Sequence, residues 1–251
     1  RRKVKRINIY NQKMNTDPPI IIAASKGQTN VVKQLLDKGV SAETVNSIGS
    51  TPLIVAAKHG HIGTVSLLLD RGANINASDS NKSTALGEAI TNKHNGVAVL
   101  LLNKIPPEYI NSASVISAFH ASIVLNNIEL IKLFIQRGID VNALSIIGIA
   151  SAHIALQFNS TAIIKLILAN GGDINIRDSV RMTPLHYAVS YGWRDNIEFL
   201  LERGSDINAV DVNRETVLHQ AAAVPYTNSL RLVLDHSSNI NATNKDGKTP
   251  L

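Results

Sequence analysis

The chain has no cysteine in its 251 residues. That excludes a disulfide framework, thiolate zinc sites and a cysteine nucleophile together, and it fits a reducing compartment. Aromatic side chains make up only 4% with a single Trp, and charged residues only 18%, yet 44% of the chain is hydrophobic. The core is therefore built mainly from Leu, Ile, Val and Ala, as in stacked helices. The same apolar content argues against disorder and suits one or two compact domains. No apolar run approaches the ~18 residues of a membrane span. The basic N-terminus Arg1-Arg2-Lys3-Val4-Lys5-Arg6 is not followed by the apolar stretch of a signal peptide.

The formal charge of +6 is unevenly spread. Six basic residues, Arg1, Arg2, Lys3, Lys5, Arg6 and Lys13, fall in the first 17 positions against one acidic residue, Asp17. The other 234 residues carry 19 basic and 18 acidic groups. The body is nearly neutral, so nothing in its composition points to a phosphate-binding surface. The basic run itself reads either as a solvated leader or cut linker, or as an import or phosphate-binding arm.

What the chain does have is an internal repeat. Pro18-Pro19-Ile20, Thr51-Pro52-Leu53, Thr84-Ala85-Leu86, Ser117-Ala118-Phe119, Ala150-Ser151-Ala152, Thr183-Pro184-Leu185, Thr216-Val217-Leu218 and Thr249-Pro250-Leu251 start 33 residues apart, without insertion or deletion. In each repeat the Thr can cap a helix, and the Pro behind it stands where its missing N–H costs nothing. A first helix of about two turns stops at Gly27, Gly60 and Gly192, or at Asn126 and Asn159, residues suited to a left-handed cap. A second helix carries an apolar stripe, as in Val65, Leu67, Leu68 and Leu69, and ends at Gly39, Gly72, Gly138, Gly171 and Gly204. Short extended stretches are expected next, such as Asn74-Ile75-Asn76 and Asp140-Val141-Asn142, followed by turn residues and the next Thr-Pro.

This pattern resembles the ankyrin repeat, most specifically in Thr183-Pro184-Leu185-His186-Tyr187-Ala188. The resemblance covers 18–251, with repeats starting at 18, 51, 84, 117, 150, 183, 216 and 249. It implies an all-α solenoid of stacked antiparallel helix pairs with projecting β-hairpin loops. Residues 1–17 form a basic N-terminal segment whose Ile9 also fits the end of a preceding repeat. The chain begins without Met and stops three residues into a repeat, so a longer protein is expected, with what lies beyond either end unspecified.

Some repeats depart from the pattern. Repeat three has Ile105-Pro106-Pro107 where a Gly and an extended stretch belong, so its hairpin should be irregular. Repeats four and five lack Thr-Pro, and repeat seven has Ser237 for its terminal Gly. These changes are expected to weaken stability locally while keeping the register.

Little here suggests catalysis. The glycines fall singly at helix ends rather than in a phosphate loop, and Asp79, Asp178 and Asp211 read as turn residues. His120, His153, His186 and His219 recur every 33 residues. A metal needs nitrogens about 2 Å away, whereas stacked repeats hold equivalent residues roughly 10 Å apart. The resemblance instead implies structural hydrogen bonds between repeats. His59 and His61 read as solvated or capping groups at a helix–helix turn. No metal, cofactor, small-molecule substrate or enzymatic activity is expected, and nucleic acid is not favoured.

The resemblance also implies a protein-interaction module, intracellular and cytoplasmic or nuclear, binding a protein partner through hairpin tips and the exposed end of the first helix. At those positions the early repeats are polar but for Ile48, with Ser47, Ser50, Lys58, His59, Ser80, Asn81, Ser83, Thr91 and Asn92. Later ones are apolar: Ile116, Val124 and Leu125, then Ile146, Ile147, Ile149 and Phe158, then Val180 and Met182. Tyr187, Tyr191 and Trp193 supply nearby aromatic anchors. These nine residues from Ile146 to Trp193 are the expected partner site. Two alternatives stand beside it. Degenerate repeats could bury the apolar positions in compensation, or the segment could be the targeting or regulatory part of a larger enzyme, channel, toxin or pathogen effector.

Overall fold

The computed structural model describes residues 17–236 and 239–251. The described residues hold fourteen α-helices and one short 3-10 helix. Their β-pairing is limited to single bridges, so the chain is all-α. The helices come in pairs, one pair per repeat: α1 (Pro19–Ser25) and α2 (Thr29–Asp37), α3 (Pro52–Lys58) and α4 (Ile62–Asp70), α5 (Ala85–Thr91) and α6 (Asn95–Lys104). There follow α7 (Ala113–Val124) and α8 (Ile128–Gln136), α9 (Ser151–Gln157) and α10 (Thr161–Ala169), α11 (Pro184–Ser190) and α12 (Arg194–Glu202), α13 (Val217–Ala223) and α14 (Thr227–His236). The chain divides between Ile110 and Asn111 into two compact blocks.

Within each block, first helices pack on first helices: α1, α3 and α5 in the N-terminal block, α7, α9, α11 and α13 in the C-terminal one. Such a helix is seven residues long in most repeats, too short to persist alone. Burial between two neighbours explains its composition. Every residue from Pro52 to Ala57 in α3 is buried, as is every residue from Ser151 to Leu156 in α9. Second helices bury one stripe only, such as Val65 and Leu68 in α4 or Ile197 and Leu200 in α12.

The helix ends follow the sequence closely. Thr51, Thr84 and Thr216 accept backbone N–H bonds from Ile54, Gly87 and His219 at 3.2–3.4 Å. Gly27, Gly60, Gly192, Asn126 and Asn159 all take positive φ. Lys93 does too, at φ 61, although nothing in a Lys announces it. At Gly60 the reason for glycine is twofold: its φ is 76°, and a Cβ there would stand 2.5 Å from His94 Nδ1. That imidazole lies over the end of α3 and its Nε2 bonds the Lys58 carbonyl at 3.0 Å; His61 does the same to Ser25 at 2.9 Å. His61 therefore caps the preceding repeat.

The stretches expected to be extended after each second helix are turns instead. Ala77 N–H donates to the Asn74 carbonyl, Ala143 to Asp140 and Ala209 to Asp206, each at 3.1 Å. The cause is the Asx residue, whose side chain accepts the N–H two residues on, as Asp140 Oδ1 does from Asn142 at 2.8 Å. Asparagine side chains then link repeats: Asn111 Oδ1 accepts the Asp140 N–H at 2.7 Å, and Asn142 and Asn175 accept those of Asp173 and Asp206 at 2.8 Å.

Repeat three ends differently. Its second helix runs to Lys104, Ile105 is extended, and Pro107–Tyr109 forms a 3-10 turn in place of a hairpin. Pro106 has no N–H for the bond that Ala73 makes to the Leu68 carbonyl at the same place in repeat two, and Pro107 has no side-chain acceptor where Asn74 stands, although Ile110 N–H still donates to the Pro107 carbonyl at 3.3 Å. Repeat four then departs from the expected register. Its first helix starts at Ala113, four residues before Ser117, and is 12 residues long. The expectations on residues 1–16 and on Ser237 lie outside the described residues.

The recurring histidines tie neighbouring repeats. Nδ1 of His153, His186 and His219 accepts the backbone N–H of Ala150, Thr183 and Thr216 at 3.1–3.2 Å. With Nδ1 an acceptor, Nε2 carries the proton, and it reaches the carbonyl 29 residues on: Met182 from His153 at 3.1 Å, Lys248 from His219 at 3.0 Å. His186 Nε2 has no partner within that geometry, though the Glu215 carbonyl is close enough to favour its charged form. Burial dominates, pushing His186 down to about 4 and lowering His153 as well. Protonating Nδ1 would turn it from acceptor into donor against a backbone N–H.

Two outcomes are expected. His153→Ala should cost roughly 1–3 kcal/mol in denaturant unfolding, since it leaves both an N–H and a carbonyl without their partner; no measurable loss would exclude the inter-repeat tie. Acid should also destabilise the fold. His186 binds its proton near pH 4 when folded, whereas the unfolded imidazole binds near pH 6.5. Its contribution is therefore present above about pH 6.5 and lost as pH falls toward 4, about 2 kcal/mol between pH 7 and 5. The gap between urea midpoints at the two pH values should narrow in His186→Gln, with the remainder left to His120 and His153, which burial also lowers.

Candidate partner-binding site

Each hairpin tip is a four-residue turn headed by a side-chain acceptor. Asp79, Asp178 and Asp211 each accept two backbone N–H bonds through Oδ1, from the residues two and four positions on, at 2.7–3.0 Å. They are the turn residues the sequence suggested. In repeat four the acceptor is Ser145. Its shorter side chain takes one such bond, from Ile149 N–H at 3.1 Å, while Gly148 N–H closes the turn onto the Ser145 carbonyl at 2.8 Å. Ile146 and Ile147 form the corners. Ile146 is 97% exposed and Ile147 65%.

The early start of α7 gives this tip an apolar neighbour. Helical spacing puts Ala113, Ile116, Ser117, His120 and Val124 on one face. Together with the tip residues Leu144, Ser145, Ile146, Ile147 and Ile149, with Ile154, Gln157 and Phe158 of the next repeat, and with Asn111, they line a pocket of about 650 Å³. No Lys, Arg, Asp or Glu contributes.

His120 is the buried polar group of this pocket, 6% exposed. Its equivalents accept the N–H of the residue heading their helix. Residue 117 lies inside α7, so its N–H belongs to the helix ladder, and His120 Nδ1 has no hydrogen-bond partner. Nε2 meets Ser151 Oγ at 3.5 Å. Burial pushes the imidazole down to about 4, partly offset by the Ala143 backbone, so it is neutral at pH 7.

Of the nine expected residues, the pocket gathers Ile146, Ile147, Ile149 and Phe158. Val180 at 43% and Tyr191 at 37% are exposed, and Met182 is half-buried, but none of the three lines it. Tyr187 is committed elsewhere: its hydroxyl donates to Asp178 Oδ2 at 2.9 Å and its ring packs on His153 at 4.8 Å. Trp193 heads α12 and stacks on Tyr191, with centroids 6.3 Å apart and planes within 17°. The exposure of Ile146, Ile147 and Phe158 (51%) shows that these side chains are not buried in compensation for degenerate repeats. Sequence reasoning missed Ala113, Leu144, His120, Ile154 and Gln157 as pocket walls. The signal for the first was the Pro-Pro pair, which frees Ala113 to enter a helix.

The earlier repeats present a different surface. A smaller pocket of about 350 Å³ is lined by Asp17, Ser25, Asn46, Ile48, Ser50, Ile54, Val55, Lys58, His59, Asp79, Asn81, Ser83 and Glu88. Its Ser50 hydroxyl donates to Asp79 Oδ2 at 2.9 Å, and Lys58 lies 3.9 Å from Glu88. His59 is lowered by burial and then by the nearby His61 and Lys58. No cluster of three or more potential metal-binding side chains occurs among the described residues. Nor is any described helix long and apolar enough to cross a membrane.

No curated protein matches this chain. The family model described as Ankyrin repeats (3 copies) matches residues 4–79, 20–112 and 118–211. Repeats of this kind are generally protein–protein interaction modules and typically non-catalytic. That match covers most of the sequence, and the paired helices, positive-φ caps and inter-repeat histidine bonds agree with it: the chain belongs to the ankyrin-repeat family.

Proposed function

We propose that this chain is a non-catalytic interaction module that binds a protein partner at the tip and first-helix face of repeats four and five, with Ile146, Ile147, Ile149 and Phe158 at the centre. The flanking residues Val180, Met182, Tyr187, Tyr191 and Trp193 extend that face toward repeat six. One observation carries the reading. An uncharged apolar pocket opens beside a tip whose two isoleucines are 97% and 65% exposed, where the fold needs neither for its own core. Apolar surface gathered at one place marks a contact site more than scattered exposed residues do. The pocket gives a partner side chain somewhere to be desolvated, the setting in which a few anchors dominate binding energy.

The test separates binding from folding. Ile147→Asp and Phe158→Asp should leave the circular dichroism spectrum and melting midpoint almost unchanged, since exposed positions usually cost under ~0.5 kcal/mol. Each should reduce recovery of the partner in quantitative affinity capture about fivefold or more, equivalent to about 1 kcal/mol. Asn81→Asp and Asn92→Asp in the polar repeats should not. Loss of folding at both Ile147 and Phe158, or recovery unchanged by either, would refute the site.

A further inference from the structure

The tips of the C-terminal block are joined by a backbone ladder with one rung per repeat. Ser179 N–H donates to the Gly148 carbonyl at 3.0 Å, Val212 N–H to Val180 at 3.0 Å and Lys245 N–H to Asn213 at 2.9 Å. In every rung the donor is the second residue of a tip turn, and the acceptor belongs to the tip before it. Ile146 is the second residue of the first tip in this block. One period earlier stands Ala113, which is the first residue of α7 and not part of a tip. The Ile146 N–H accordingly has no acceptor among the described residues. The ladder ends with an unused donor beside the apolar pocket.

Two features say what would use it. The rung is a main-chain interaction that an extended segment supplies at any sequence, as when a peptide adds to a sheet edge. The pocket next to it is walled by Ile116, Val124, Leu144, Ile149 and Phe158, and it contains no charged residue. A charged group entering it would lose hydration with nothing to compensate. We infer that the Ile146 tip is an open rung that pairs with an extended, uncharged segment of a partner protein, a backbone carbonyl of the segment accepting the Ile146 N–H and a large apolar side chain entering the pocket. This inference rests on the pocket being the partner site proposed above. It adds the chemistry of the occupant. A small apolar molecule would fill the pocket without touching the rung.

The turn itself provides a selective test. Ile146 occupies the second position of a turn closed by Gly148 N–H onto the Ser145 carbonyl, where proline is favoured. Ile146→Pro therefore removes the amide donor and leaves the turn. Ile146→Ala keeps the donor and trims a side chain that is almost wholly in solvent. The probe is an acetylated and amidated pentapeptide, threonine-valine-leucine-valine-threonine, titrated into the full chain while amide exchange is followed by NMR.

In the free chain the Ile146 amide should exchange fast, and saturating peptide should slow it about tenfold or more. Affinity should fall about tenfold further in Ile146→Pro than in Ile146→Ala, which loses the same side-chain contact but keeps the donor, and fall about tenfold when the central leucine of the peptide becomes alanine. A protected Ile146 amide in the free chain, no binding at about 1 mM peptide, or equal affinity of Ile146→Pro and Ile146→Ala would each overturn the open rung. If Ile146→Pro lost its melting transition, the wild-type exchange result would decide. Peptide binding lost in Phe158→Asp but kept in Ile146→Pro would leave the partner site standing without the rung. Binding indifferent to both variants would refute both. The uncharged dye Nile red serves as the small-molecule arm: binding of the dye without binding of the peptide counts against the inference.

Discussion

A seven-residue helix cannot hold itself together, and most first helices of this protein are seven residues long. Their stability has to come from both sides, which is why a helix such as α9 is buried along six consecutive residues. Everything that repeats in the chain serves that constraint. The Thr and His at the head of a first helix satisfy the N–H groups that burial would leave unpaired, and the same His passes its second nitrogen to the next repeat. Asn142 and Asn175 do the equivalent at the turns. Because each tie spans about one period, a change in one repeat is felt by its neighbour.

The Pro106-Pro107 pair shows how far such a change reaches. Pro106 lacks the N–H that ends a second helix elsewhere and Pro107 lacks the Asx acceptor; no hairpin tip follows them, and the next helix starts early, at Ala113. Three consequences follow from that early start. The extra turn of α7 presents an apolar face, His120 loses the N–H that its equivalents accept, and the tip ladder of the C-terminal block begins with an unused donor at Ile146. The pocket is thus the by-product of a broken repeat, and it holds an uncharged, buried imidazole where a regular repeat would hold a satisfied one.

The polar repeats make the contrast clear. Around Lys58, His59 and Glu88 the corresponding positions carry charge and hydrogen-bonding groups that already have partners within the chain, such as Ser50 with Asp79. A partner would gain little there by displacing them. At Ile146 and Ile147 nothing has to be displaced but water, and the apolar surface gains from leaving it.

By itself the sequence determined the period, the pairing of helices, their caps and the all-α class, because each is fixed locally: a Thr before a helix, a Gly or Asn where φ must be positive, a stripe of Leu and Ile every three to four residues. It also marked Ile146, Ile147, Ile149 and Phe158 as apolar residues at positions that face outward. What it could not show was that these four share one pocket while Tyr187 and Trp193 turn to other contacts, or that Ala113, His120 and Leu144 complete the walls. Those facts depend on where α7 begins, and that is decided when the residues after Pro107, with no tip turn to hold them, enter the helix of the next repeat and pack against a hairpin more than twenty residues away.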